Sequence, residues 1–170
     1  MRLHRFYSSE MIASRREVVL ELKELVHQIS KVFRLRGGDK VILFDGSGSD
    51  YECEIVGFGG VGKMTTNVVT FRILSVTHSR FMPSRKIYLC AAVVKKDNFE
   101  FIVEKATELG VTDIVPVLAE RSEKKALNEE RLRKIAIEAS EQSGRGDLPV
   151  IHPIAKLDDV VGHLKKEEIQ

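Results

Sequence analysis

Residues 95–122 constrain the fold more than any other stretch, because an amphipathic helix pattern lies there between two apolar runs. The run before it covers residues 87–94 and shows almost no alternation, and the run after it covers residues 114–118. The apolar helix positions recur at helical spacing and form one face: Phe99, Ile102, Val103, Ala106 and Leu109. Continuous apolar strands on both sides of such a helix predict a βαβ crossover in a sheet covered on both faces.

The sequence also marks both ends of this helix. Asp97 is placed to be its N-cap, and Glu100, three residues later, gives the spacing of a capping box. Gly110 follows the last apolar position, where a C-terminal cap is expected. The opposite face is polar, as on a solvated surface: Glu104, Lys105 and Glu108.

The alternation of strand and helix patterns continues to the end of the sequence. A second helix pattern begins near Asn128, which suits an N-cap, and ends at Gly144. A strand pattern at 148–151 and a third helix pattern at 157–169 follow. The buried stripe of the second helix is predicted to hold Leu132, Ile135, Ala136 and Ala139. We therefore predict parallel strands in one sheet at residues 86–94, 113–118 and 149–153.

The first part of the chain shows short strand patterns separated by glycine turns, which is typical of a small β-barrel. The predicted strands cover residues 2–7, 41–44, 51–56 and 65–76, and helical spacing predicts a helix over residues 20–32. The glycine-rich loop at 57–62 joins two strands, so we interpret it as a turn and not as a phosphate-binding loop. A polar connection at 77–85 separates a predicted first domain, residues 1–76, from a second, residues 86–170.

The composition limits the class of protein only broadly. The net charge is +2 and the chain is 43% hydrophobic, so a core can form but the mild charge does not establish a nucleic-acid partner. Cys53 and Cys90 fall in predicted strands without CxxC spacing, as buried free thiols of a reducing cytosol do. We see no secretory signal and no apolar run long enough to span a membrane. The composition predicts a cytoplasmic protein.

The end of the second helix carries the most suggestive polar side chains. Glu138, Gln142 and Arg145 are spaced by four and three residues and are expected to share one stripe, with Arg145 free to project beyond Gly144. Such a set suits a base edge or a phosphate, but by spacing alone a solvated face with one intrahelical hydrogen bond explains it better. The histidines show no metal-ligand spacing, and no nucleophile motif is present.

At these residues the chain resembles the RsmE family, the 16S rRNA (uracil-N3) methyltransferases of the SPOUT superfamily. The matching segments follow the family's order: HRFY at 4–7, HQISKVFRLRGGD at 27–39, LFDGSG at 43–48, KATELGVTDIVPVLAERS at 105–122 and EASEQSGR at 138–145. The resemblance implies a PUA-like barrel followed by a SPOUT-type α/β domain with a mainly parallel sheet. It also implies a homodimer that uses S-adenosylmethionine to methylate N3 of one uridine in the small ribosomal subunit.

The resemblance suggests roles for particular residues. Lys105 and Arg145 would serve as donors toward the uracil, Gln142 would face the target nucleotide with Arg145, and Glu138 or Glu108 would be the base or would orient the donors. The RNA would be held by the first domain, through Arg2, His4, Arg5, Arg34 and Arg36. Two alternatives remain open: an RNA-binding module without catalysis, and a SPOUT enzyme acting on another RNA.

The family's cofactor site is a C-terminal knot with a Gly-Pro-Glu-Gly-Gly loop, and this sequence contains no such loop. We therefore expect an incomplete SPOUT domain, with no cofactor-binding residues and no metal site in these 170 residues. The chain alone is then expected to be inactive, and not to bind S-adenosylmethionine measurably.

Overall fold

A computed structural model describes residues 3–13, 15–59, 67–119 and 126–167, with side chains described up to residue 162. The chain divides into two compact units, Met1–Phe81 and Met82–Gln170.

The first unit is a five-stranded curled sheet with a short helix. Its strands are β1 (Arg5–Tyr7), β2 (Glu17–Glu21), β3 (Lys40–Phe44), β4 (Ser49–Phe58) and β5 (Val68–His78). Their order in the sheet is β1-β3-β4-β5-β2, with β1 parallel to β3 and the other pairs antiparallel. The helix α1 (Lys23–His27) continues as a wider π-helical turn (Gln28–Val32). The predicted PUA-like barrel is confirmed in this form.

Strand β2 replaces the start of the predicted helix over residues 20–32. Val18 and Leu20 are buried and alternate with exposed neighbours, which is the period of a strand, and Leu20 pairs with Val69 of β5. The helical spacing begins only after this strand, so the prediction was wrong for residues 20–22. The predicted turn at 57–62 is only partly described, because residues 60–66 lie outside the described residues.

Asp45 fixes the turn that follows β3. Its carboxylate accepts hydrogen bonds from the Ile12 amide at 2.9 Å, the Ser47 amide at 3.1 Å and the Tyr51 hydroxyl at 3.3 Å. Partial burial works to raise the pKa of Asp45, but these hydrogen bonds outweigh it and hold the pKa below its ordinary value of 3.8. The carboxylate therefore ties the segment before β2 to the β3–β4 turn.

Replacing Asp45 by asparagine should lower the free energy of unfolding by about 1.5–3 kcal/mol at pH 7. Because the pKa is lower in the folded chain, this stabilisation is complete above the unfolded pKa and is lost as the pH falls through the folded value. Urea unfolding at pH 7 and below about pH 4 should show the two proteins converging in acid. The exposed Glu21→Gln change is the control, and an equal loss at both pH values would contradict the expectation.

The second unit is a parallel sheet with helices on both faces. Its elements are β6 (Tyr88–Ala92), α2 (Lys96–Glu108), β7 (Asp113–Leu118), α3 (Glu129–Ser143), β8 (Val150–Ile151), β9 (Ala155–Lys156) and α4 (Leu157–Glu167). Strand β7 lies in the middle, parallel to β6 on one side and to β8 and β9 on the other. The predicted parallel strands are confirmed. Pro153 lies between β8 and β9, and its missing N–H suits this interruption of the edge strand.

Helices α2 and α3 pack together on one face of this sheet. Their buried residues meet Ala91 and Ile114 and include most of the predicted stripes: Phe99, Val103, Ala106, Leu132, Ile135, Ala136 and Ala139. On the other face Val160 of α4 packs against Val115 and Val117. The prediction that Leu109 belongs to the apolar, buried face of α2 was wrong, because this residue is the C-cap of α2 and is 81% exposed.

The helix ends confirm three of the four predicted caps. Asn128 accepts a hydrogen bond from the Arg131 amide at 3.0 Å, and Gly110 and Gly144 have φ values of +86° and +84° after their helices. Asp97 is not an N-cap, because α2 already begins at Lys96 and Asp97 lies in its first turn. The N-cap is Lys95, which makes no capping hydrogen bond with its side chain.

Both cysteines are free thiols. Cys53 is fully buried, and this burial raises the pKa of its thiol to about 12, whereas Cys90 is half-buried. Within the described residues, no helix is long and apolar enough to cross a membrane. Nor does the described part of the chain bring three His, Cys, Asp or Glu side chains together as a metal site would require.

Candidate functional site

Arg145 lies inside the second unit and does not project from it. Its residue is only 2% exposed, and its guanidinium donates to both carboxylate oxygens of Asp147, at 2.6 and 2.9 Å. Nη1 also donates to the carbonyl oxygens of Thr107 and Val111, at 3.1 and 2.6 Å. The expectation that Arg145 is free was wrong: the left-handed Gly144 turns the chain, so helical spacing from Gln142 no longer applies.

This position makes Arg145 a cap for the C-terminal end of α2. The last carbonyl groups of a helix lack partners within it and carry the negative end of its dipole, so a buried cation stabilises them. The bidentate bond to Asp147 balances the arginine charge. Arg145 therefore joins the end of α2, the turn before β7 and the turn after α3.

The other predicted catalytic residues lie together in a groove between the outer surfaces of α2 and α3. The groove has a volume of about 470 Å³ and includes Glu108, Glu138 and Gln142 in its walls. Its further lining contains three more carboxylates and one arginine: Asp97, Glu100, Glu104 and Arg131. This excess of negative charge opposes the approach of a phosphate backbone.

Lys105 does not line the groove itself but binds two residues that do. Its Nζ is 2.8 Å from a carboxylate oxygen of Glu104 and 2.9 Å from one of Glu108. These two carboxylates raise the pKa of Lys105 above its ordinary value. The side chain is therefore a charged donor at neutral pH and not a general base.

A second, more apolar pocket of about 370 Å³ lies where β6 ends and α2 begins. Val94, Leu127 and Leu132 form its apolar walls, and Lys96 and Glu100 lie at its edge. Open α/β sheets bind ligands beyond the carboxyl ends of their strands, and this pocket has that place in the fold. It suits a small, largely apolar group.

In the first unit, Arg5 is buried and is not a surface residue as expected. Its guanidinium donates to both carboxylate oxygens of Asp50, at 2.6 and 2.9 Å, and lies 5.1 Å from the centre of the Phe44 ring. Arg5 lies on β1 and Asp50 on β4, with β3 between them, so the ion pair bridges three strands. Arg2 lies outside the described residues.

The exposed predicted RNA-binding residues are His4, Arg34 and Arg36. The His4 ring lies on the ring of Phe33, with 4.2 Å between centroids. Arg34 follows Phe33 directly and has a φ of +57°, in the left-handed region. Lys31 and Arg36 are also exposed and lie two and three residues from Phe33 in the chain.

The sequence did not reveal the carboxylates that hold Arg145 and Arg5 in buried positions. Asp147 follows Arg145 by two residues and could have been suspected as its partner, but Asp50 is 45 residues from Arg5 and carried no signal. Phe33 was missed as a surface residue, because aromatic residues are usually assigned to a core.

Family comparisons agree with the two units. The family described as an RNA methyltransferase domain matches residues 82–170, and the family described as an RNA methyltransferase PUA domain matches residues 26–59. A curled β unit of the PUA kind, followed by a parallel α/β unit of this second family, defines a protein of the RNA methyltransferase class.

Relatives and solved structures narrow this class. The chain is 30% identical to the ribosomal RNA small subunit methyltransferase E of Rickettsia conorii, over 98% of this chain and 64% of that protein. It is 30% identical to the Bacillus subtilis protein of the same name, over 84% of this chain and 56% of that protein. The Neisseria gonorrhoeae methyltransferase E bound to S-adenosyl methionine superposes with a TM-score of 0.80 at 28% identity, covering 94% of this chain and 65% of that one. The chain belongs to the RsmE family.

The chain thus spans 64% and 56% of the lengths of the two curated relatives.

Proposed function

We propose that this protein takes part in the S-adenosylmethionine-dependent methylation of N3 of a uridine in the 16S rRNA of the small ribosomal subunit. The observation that carries the proposal is the order of the two units, a PUA-like unit followed by an RNA methyltransferase domain. Structural similarity at a TM-score of 0.80 to an enzyme bound to S-adenosyl methionine supports it. A cytoplasmic location and a homodimeric assembly belong to the same proposal.

In this proposal the first unit binds RNA. Its exposed residues His4, Arg34 and Arg36 are available to RNA, whereas Arg5 is engaged in a buried ion pair. The RNA contact is therefore assigned to the surface around the end of the π-helical turn. Loss of Arg34 or Arg36 should weaken binding and reduce its dependence on salt.

The chemistry requires that the N3 proton leaves as N3 attacks a methyl group, and that the negative charge on the uracil oxygens is stabilised. In the groove between α2 and α3, Glu138 or Glu108 would accept the proton, and Lys105 or Gln142 would donate to the oxygens. These assignments stay predictions. Arg145 is better placed to hold the fold of the second unit, because its described bonds go to carbonyl groups and to Asp147.

The pocket at the start of α2 has partners for only part of the cofactor. It has three apolar side chains that suit an adenine ring, but only Lys96, Glu100 and Asn128 as polar side chains. A nucleoside joined to an amino acid needs more polar partners than these.

The test is deletion of the gene that carries this chain, followed by mapping of modified uridines in small-subunit rRNA. N3 methylation blocks the pairing edge of uracil, so reverse transcription should stop at one position in the parent strain and read through in the deletion strain. Restoring the gene should restore the stop. An unchanged rRNA would contradict the proposal and favour a non-catalytic RNA-binding role, and a lost stop in another RNA would favour a different substrate.

A further inference from the structure

We propose that the His4–Phe33 ring pair, with Arg34 beside it, is a stacking site for an unpaired nucleobase of the RNA. The inference rests on the proposed function, and it adds the form of RNA that the first unit takes. It predicts that this surface distinguishes single-stranded from fully paired RNA.

The ring pair is held in place from behind. Phe33 meets the fully buried Phe6 edge-on, with 5.7 Å between centroids and an angle of 69° between the rings. The backbone of His4 is fixed as well, because its carbonyl oxygen accepts a hydrogen bond from the Ile42 amide at 2.8 Å. Phe33 nevertheless remains 36% exposed, and His4 is exposed. An anchored, partly exposed ring pair offers a firm surface on which a base can stack.

The backbone at Arg34 is a second, independent observation. The π-helical turn closes with hydrogen bonds from the Phe33 amide to the Gln28 carbonyl and from the Leu35 amide to the Ile29 carbonyl, both at 2.9 Å. Arg34 lies in the left-handed region, which is unfavourable for a residue other than glycine. Glycine at this position would relieve the strain but would remove the cationic side chain next to Phe33 in the chain.

The charges around the rings suit a nucleic acid. Lys31, Arg34 and Arg36 are exposed, and no ion pair joins their side chains to a carboxylate in the part of the chain that the structure describes. Aromatic rings beside cationic side chains are the usual site for single strands, because the rings take bases and the cations take phosphates. In a paired helix the bases are stacked on one another and cannot reach the rings.

The experiment measures binding of the 170-residue chain to a short single-stranded RNA that contains 2-aminopurine, and to the same strand paired over its full length with its complement, which should bind more weakly. Stacking on the rings should quench the fluorescence of 2-aminopurine in the single strand. Phe33→Leu and His4→Ala should each weaken single-strand binding about tenfold, since a stacked base contributes about 1–3 kcal/mol. Val32→Ala changes an exposed neighbour on the same turn and should leave binding unchanged.

Arg34→Gly separates a binding role from a structural one. It removes one phosphate contact, so it should weaken binding and reduce the salt dependence by about one counterion, while thermal stability is kept or raised. His4→Ala keeps the inference testable if Phe33→Leu fails to fold. Wild-type affinity in both His4→Ala and Arg34→Gly, or unquenched 2-aminopurine in the wild-type complex, would overturn this inference but not the proposed function. Absence of any RNA binding by the wild-type chain would count against the proposed function as well.

Discussion

Replacing Arg145 by alanine should lower the free energy of unfolding of the second unit by about 3–5 kcal/mol, because it leaves Asp147 charged and half-buried without its partner. The carbonyl oxygens of Thr107 and Val111 lose a donor in the same change. Urea unfolding should show a lower midpoint. Hydrogen exchange should become faster in α2 and β7, whose junction Arg145 holds.

Two further variants sharpen this expectation. Arg145→Lys keeps the charge but cannot form the bidentate bond, so it should recover only part of the loss. Arg133→Ala removes an exposed arginine from the same helix and should lower the free energy of unfolding by less than about 1 kcal/mol, because exposed polar contacts contribute little. If Arg145→Ala folds with wild-type stability but abolishes methylation of small-subunit rRNA, the side chain acts on the RNA and the structural interpretation fails.

Replacing Arg5 by alanine should destabilise the first unit to a similar extent, about 3–5 kcal/mol, and not merely weaken RNA binding. The arginine and Asp50 are both largely buried, so removal of one leaves the other charge uncompensated between three strands. Thermal and urea unfolding of the first unit would measure the change.

The matched control is Arg15→Ala, which breaks the exposed pair with Glu10 and should cost less than about 1 kcal/mol. The double variant Arg5→Met with Asp50→Leu removes both charges and should regain most of the lost stability. It should also bind RNA with wild-type affinity. Loss of RNA binding in a stably folded double variant would instead indicate that Arg5 contacts the RNA.

The sequence predicted those features that depend on repeated local patterns. The apolar runs around 95–122 led to the parallel sheet, because strands covered on both faces need nearly continuous apolar side chains. Helical spacing found the buried face of α3, and Asn128 and Gly144 marked its ends.

The wrong predictions concern residues at which a local sequence pattern ends, or whose side-chain position depends on a partner distant in the chain. Arg145 lies one residue past the left-handed Gly144, so its direction follows the turn and not the helix. Arg5 faces inward because Asp50 lies two strands away in the sheet, and spacing along the chain cannot reveal this. Phe33 required knowledge of the ring contacts with His4 and Phe6, which only the folded chain supplies.

The strand order β1-β3-β4-β5-β2 also bears on how the first unit forms during synthesis. Strand β2 leaves the ribosome early, but its only neighbour in the described sheet is β5, which ends at His78. Until β5 emerges, the apolar side chains of Val18 and Leu20 have no sheet to join. The chain loses the conformational entropy of this long loop before the pairing of β2 with β5 can stabilise the sheet, and this slows folding. The first unit should therefore complete its sheet only when translation has moved well into the second unit.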